Sequence, residues 1–148
     1  MMVTALNKNI NENRAKITKY LGVENRKAAL KDADFVINAI QVGFYEPCTV
    51  LDFEIPKKYG LRQTIGDTLG IGGIMRGLRT IHVLQDFAKD MEEVCPNAWF
   101  LNYTNPMAIL TGFMTRYTQL NTVGLCHSVQ VCSSTLLEEL GMQDKLEG

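Results

Sequence analysis

Cysteine and histidine stand side by side at positions 126 and 127, within NTVGLCHSVQ at residues 121–130. The short β-branched and apolar run Thr122-Val123-Gly124-Leu125 leads into them, and polar residues follow at once. In an α/β chain, ligands bind in the crevice outside the carboxyl ends of the strands. A soft thiolate beside an imidazole at such an edge has the chemistry to hold a divalent transition metal or to pass protons. A half-buried Cys and a hydrogen-bonded His closing a strand would leave the same pattern, because Cys is often buried as a small hydrophobe.

A second polar group is Asn102-Tyr103-Thr104-Asn105-Pro106. Asn105 reads as a helix N-cap and Pro106 as the first helical residue, which is a sufficient structural role. A second Asn and a Thr at the same strand end supply more hydrogen-bonding capacity than capping needs. Asn38 interrupts an apolar run and must find a partner if buried. The cluster Gly70-Ile71-Gly72-Gly73 is not a dinucleotide fingerprint: no buried strand precedes it, and Met75 stands where the third glycine belongs. It does open a helix, so its amides either face an anion or hydroxyl-rich ligand or simply form a flexible turn. Asp67 and Arg76 flank the glycines and either grip a polyol or form a solvated ion pair. His82, between apolar neighbours on a helix, reads as a packed histidine.

The elements that must position these residues alternate. Residues 1–14 read as a helix remnant or loose end, 15–21 as a short strand and 25–32 as a brief helix. Residues 34–40, DFVINAI, form a nearly continuous apolar run, the pattern of a parallel strand buried on both faces. A helix should run from Pro47 to about Ile55 and end or kink at Pro56. Residues 60–73 hold five of the twelve glycines and show no period. Between 74 and 94, Ile74, Leu78, Ile81, Leu84 and Met91 recur at helical spacing. A strand at 98–103, a helix to about Tyr117, a strand ending at Cys126 and a helix over 133–140 closed by Gly141 complete the order. This alternation predicts an α/β fold, a parallel doubly wound Rossmann-like sheet. Its ligand edge gathers three loops, at 38–46, 102–106 and 126–130.

Bulk composition fits one domain. The 148 residues are 46% hydrophobic and 21% charged, with net charge −1, so there is no basic footprint for nucleic acid. No run approaches membrane-spanning length, and the first residues lack a signal peptide's apolar stretch. The four cysteines lack paired spacing, as expected of a reduced, cytoplasmic protein.

Three blocks together carry a resemblance: residues 38–80, NAIQVGFYEPCTVLDFEIPKKYGLRQTIGDTLGIGGIMRGLRT, then LNYTNPMA, then VGLCHSVQ. They resemble the NAD- and manganese-dependent enzymes of glycoside hydrolase family 4, in the branch of α-galactosidases (melibiases) and α-glucosidases. The likeness extends from about residue 15 to about residue 140. Such enzymes depart from two-carboxylate glycoside hydrolysis. The resemblance implies oxidation of the sugar's 3-hydroxyl by NAD, loss of the acidified C2 proton, elimination of the aglycone, addition of water and return of the hydride. It implies that Mn2+ chelates the sugar oxygens as a Lewis acid. Carried over by motif, Cys126 is a metal ligand and His127 the proton donor to the leaving group. Asn105, with Asp67 and Arg76, would contact the α-glycoside, and Asn38, Ala39, Ile40 and Gln41 would line the nicotinamide side.

The sequence also departs from that family. It shows neither the opening strand with a Gly-x-Gly-Ser phosphate loop nor the second strand ending in an acidic residue. The later metal-binding His, the catalytic Tyr base and most of a substrate and oligomerisation domain have no counterpart. Phe44 stands where Gly is usual, and Val131-Cys132-Ser133 follow the Gln where Gly-Thr is expected. The expectation is therefore a partial NAD-binding Rossmann-like domain of a longer glycosidase, with little or no activity alone. The alternatives are a non-catalytic binding or subunit-interface module derived from the family, and a 2-hydroxy-acid dehydrogenase-like domain. The Cys-His pair and the glycine block count against the last. Without the first two strands, the strand at 35–40 would present an open edge, which predicts pairing with another chain or a homo-oligomer.

Overall fold

The computed structural model describes residues 2–63 and 68–142, so Asp67 lies outside the described residues. Three parallel strands, β1 (Phe35–Asn38), β2 (Trp99–Asn102) and β3 (Asn121–Gly124), form one sheet in the order β1-β2-β3. The helices are α1 (Met2–Ile10), α2 (Arg26–Leu30), α3 (Val50–Lys58), α4 (Gly70–Val94), α5 (Met107–Tyr117) and α6 (His127–Glu139). Parallel strands joined by helices are the expected Rossmann-like arrangement. No helix among the described residues is long and apolar enough to cross a membrane.

Register aligns Asn38, Asn102 and Gly124 across the three strands, so their carboxyl ends form one edge. Side chains alternate across a sheet. Phe100 and Asn102 on β2 are fully buried, Asn38 on β1 is buried, and they share one face. That face meets a core of Leu84, Ala88 and Met91 from α4 with Leu110 and Met114 from α5. The opposite face differs from expectation. Phe35 and Ile37 are 67% and 66% exposed, and Trp99 is 47% exposed, so β1 is buried on one face only. An apolar run signals a strand, but burial on the second face requires a covering element, and the described residues supply none.

The N-terminal half of α4 also corrects the sequence reading. Its inner face is Gly72, Gly73, Gly77 and Thr80 before Leu84, Ala88 and Met91, while Ile74 and Leu78 point outward. Close approach of α5 selects the small residues: a Cβ on Gly77 would stand 3.0 Å from Ile109 Cγ2 and 3.3 Å from Pro106 Cγ. His82 is exposed rather than packed, lying two residues, about 200° round the helix, from the buried Thr80 and Leu84. At Gly73 an added Cβ would meet the Thr68 carbonyl carbon at 2.6 Å, and this backbone cannot move aside like a side-chain tip. Gly→Ala inside a helix ordinarily stabilises by about 1 kcal/mol. Here the sign should reverse: the Thr68 backbone cannot give way, so overpacking outweighs the propensity gain and Gly73→Ala is expected to destabilise the protein by up to about 2 kcal/mol, read as a lower urea midpoint.

Other boundaries moved for physical reasons. Residues 15–21 form no strand; they are exposed and pair with none, and Asn7 holds Ala15 through its side-chain amide at 2.7 Å. The segment Phe44–Thr49 is an irregular turn broken at Glu46, followed by α3, which carries Pro56 inside it. Pro56 removes one backbone donor but its own carbonyl accepts from Tyr59 and Leu61, so the helix ends a turn later instead. Helix α6 begins at His127, six residues before the expected start, and closes at Gly141 in the left-handed region (φ 66°), whose amide reaches the Glu138 carbonyl at 3.0 Å.

Candidate active site at the strand ends

Backbone bonds tie the three expected loops together. The Tyr103 amide donates to the Asn38 carbonyl and the Leu125 amide to the Asn102 carbonyl, each at 2.9 Å. Beneath them lies a buried polar network. Asn38 Nδ2 donates to Asn102 Oδ1 at 2.8 Å, which is the partner its burial demanded. Asn102 Oδ1 also accepts from the Thr104 amide at 3.1 Å, and Asn102 Nδ2 donates to the Thr104 carbonyl and to Thr111 Oγ1, both at 3.2 Å. Thr104 Oγ1 donates on to the Ile40 carbonyl at 3.1 Å. Asn38 is therefore turned into the sheet, while Ala39 and Gln41 are exposed and Ile40 is half-buried on the loop beyond it.

Cys126 occupies the position before α6 in extended geometry and His127 is the first helical residue, exposed. The half-buried Cys126 thiol is held below its ordinary range chiefly by a hydrogen bond from the Ser128 hydroxyl, then by the Ser128 backbone N–H. Cys95, in the core, is pushed the opposite way by burial and by the nearby charge of Asp32. A lower pKa means more thiolate at neutral pH, and the thiolate is both nucleophile and metal ligand. Cys126 should thus be alkylated by iodoacetamide faster than Cys95, and Ser128→Ala should slow it at fixed neutral pH, as read by mass spectrometry of the labelled peptides.

Pro106 itself, not Asn105, takes the capping position of α5, with extended ψ of 110° and its carbonyl accepting from Leu110 at 3.0 Å. Asn105 stands one residue earlier, half-buried beside the crevice. Helix α4 passes close behind it, because Gly77 sits against Pro106, and this brings half-buried Arg76 to the same region. The Gly72 amide is taken by Gln63 Oε1 at 3.1 Å, so at that position the glycine cluster is tied to its own loop rather than open to a ligand. Among the described residues no group of three His, Cys, Asp or Glu side chains could hold a metal ion. A soft thiolate at a strand end nevertheless suits a divalent transition metal as one ligand of a set.

Sequence reading missed the pair Asp52 and Arg79. Arg79 Nη1 reaches Asp52 Oδ1 at 3.2 Å, and Nη2 bonds Oδ2, joining α3 to α4 beside the apolar wall of Leu51, Ile55 and Met75. Their separation of 27 residues leaves no local signal.

This parallel sheet, with a Cys-His pair and a buried Asn pair at its carboxyl edge, matches one family over nearly its whole length. Residues 2–142 match the family 4 glycosyl hydrolases, and the chain belongs to that family. It is 71% identical over 120 residues to an α-galactosidase of Bacillus subtilis (strain 168), covering 81% of this chain and 28% of that protein. It is 44% identical over 128 residues to an α-galactosidase of Rhizobium meliloti (strain 1021), covering 86% of this chain and 26% of the relative. Among solved structures, the 6-phospho-β-glucosidase of Thermotoga maritima with manganese, NAD+ and glucose-6-phosphate superimposes with a TM-score of 0.74 at 26% identity, over 95% of this chain and 33% of that one. The chain thus spans about a quarter to a third of the length of these proteins.

Proposed function

We propose that this chain is the Rossmann-like, NAD-binding part of a longer glycosidase that cleaves α-glycosides, α-galactosides or α-glucosides, with NAD+ and Mn2+. The observation that supports it most is the meeting of three loops at one strand edge, with Cys126 held toward thiolate at the start of α6. Bound there, NAD+ supplies reversible oxidation of the sugar's 3-hydroxyl, which acidifies C2, and Mn2+ supplies Lewis-acid polarisation.

The chain's own groups take the remaining tasks. Cys126 contributes one soft ligand to the metal, and further ligands come from outside the described residues. His127 is exposed one residue on, and an imidazole there protonates the departing glycosidic oxygen. Asn105 and Arg76 orient the sugar hydroxyls through hydrogen bonds, with Asp67 assigned to the same task from its sequence position. The exposed Ala39 and Gln41, with Asn38 and Ile40 fixing their loop, line the nicotinamide side. A homo-oligomer fits the open edge of β1 and the apolar face of Phe35, Ile37 and Trp99.

A graft tests this reading. In the Bacillus subtilis α-galactosidase, the matching segment is replaced by the corresponding residues of this chain, and hydrolysis of p-nitrophenyl α-galactoside and α-glucoside is followed. The expected result is turnover that disappears without NAD+ or on chelation of the metal. Turnover indifferent to both would refute the assignment.

A further inference from the structure

We propose that Asn102 is a positioning residue whose single carboxamide holds the loops after all three strands in one arrangement. An Asn side chain has two donor hydrogens and an acceptor oxygen with two lone pairs. Asn102 is fully buried and uses all four: it accepts from Asn38 Nδ2 and the Thr104 amide, and donates to the Thr104 carbonyl and Thr111 Oγ1. Each partner belongs to a different piece of the crevice. Asn38 ends β1, and Thr104, which sits in the loop carrying Asn105, relays to the Ile40 carbonyl at 3.1 Å. Thr111 lies on α5 against Gly124, where an added Cβ would come within 2.6 Å of Thr111 Oγ1, so it abuts the end of β3 just before Cys126.

The groups proposed to serve cofactor, sugar and metal therefore share one fixed point, although they sit on three separate loops. Catalysis depends on holding such groups to a fraction of an ångström. A buried polar network specifies a single arrangement only when every member is satisfied, as here. The consequence for turnover rests on the glycosidase reading; the clamp itself does not.

Hydrogen exchange on this chain, without substrate or cofactor, tests the clamp through three amides: Tyr103, Thr104 and Leu125. Asn102→Leu, which keeps the branched outline but is larger and has no polar atoms, should quicken exchange at all three by about tenfold, with the Cys95 amide at the end of α4 unchanged. Asn102→Asp keeps the size and both accepted bonds but loses the donated ones, so it should recover protection at the Thr104 amide and not at Leu125, whereas a role in packing alone would restore all three. Thr104→Val should loosen the Tyr103 amide and spare Leu125, and Thr111→Val should do the reverse. Unchanged exchange in Asn102→Leu, equal quickening at Cys95, or an Asn102→Asp variant that rescues all three amides equally or none of them would overturn the proposal. If Asn102→Leu does not fold, the two threonine variants decide: identical patterns, or no change in either, overturn it. A failed clamp leaves NAD-dependent hydrolysis by the graft unaffected as a test of function, and a failed graft leaves the exchange result standing.

Discussion

Asp52→Ala is expected to remove about 3–5 kcal/mol of stability, the cost of stranding one partner of a buried ion pair. Asp52 is 6% exposed and its Arg79 partner 25% in the side chain, and the guanidinium loses both of its carboxylate bonds at once. Arg79 Nε is already buried without a partner, so among the described residues no second acceptor stands ready to take over. The hydrogen bonds to the Asp52 carboxylate, and its charge, hold the Arg79 guanidinium above its usual range. Urea unfolding checks the loss. Replacing both residues together, Asp52→Leu with Arg79→Met, should recover most of it, because two apolar side chains leave no unpaired charge. Equal losses in the single and double variants would mean that the pair contributes through packing alone.

Cys126→Ser in the grafted enzyme is expected to lower NAD-dependent hydrolysis by at least about 10²-fold, since loss of even a residue supporting a metal ligand costs 10–100-fold. The hydroxyl of serine is a poor substitute for a soft thiolate toward a transition metal. The deficit should be partly offset by raising Mn2+, which separates weakened metal binding from a general collapse of the site. His127→Ala should instead depress turnover without any response to added metal, and most for substrates whose leaving group needs a proton. A Cys126→Ser graft as active as its parent would remove Cys126 from the metal site.

The sequence revealed the three sheet strands, because each is a short apolar or β-branched run between helices, and their carboxyl ends therefore predicted where the loops meet; the run at 15–21 looked alike but finds no partner strand among the described residues. Asn38 was legible as a polar residue that needed a partner. That partner, Asn102, comes from 64 residues away, and its saturation by four bonds is a tertiary fact with no local signature. The α4 stripe misled for a related reason. Apolar residues at helical spacing define a face, but Gly73, Gly77 and Thr80 define another, and only the close approach of α5 decides which turns inward. Exposure of Phe35 and Ile37 was hidden in the same way, since a strand's composition says nothing about whether a second layer is present. The capping position of α5 moved because Pro106 itself adopted the extended geometry expected of Asn105.

On the proposed function, the edge carrying Cys126, His127 and Asn105 works on a sugar whose C2 proton is made acidic by NAD+ at C3. The most direct measurement is hydrolysis of p-nitrophenyl α-galactoside by the grafted enzyme in D2O, followed by NMR of the released sugar. Deuterium at C2 of the product, dependent on NAD+, is the predicted result. A product that keeps hydrogen at C2 would contradict it, and would mean that the bond is cut by direct displacement.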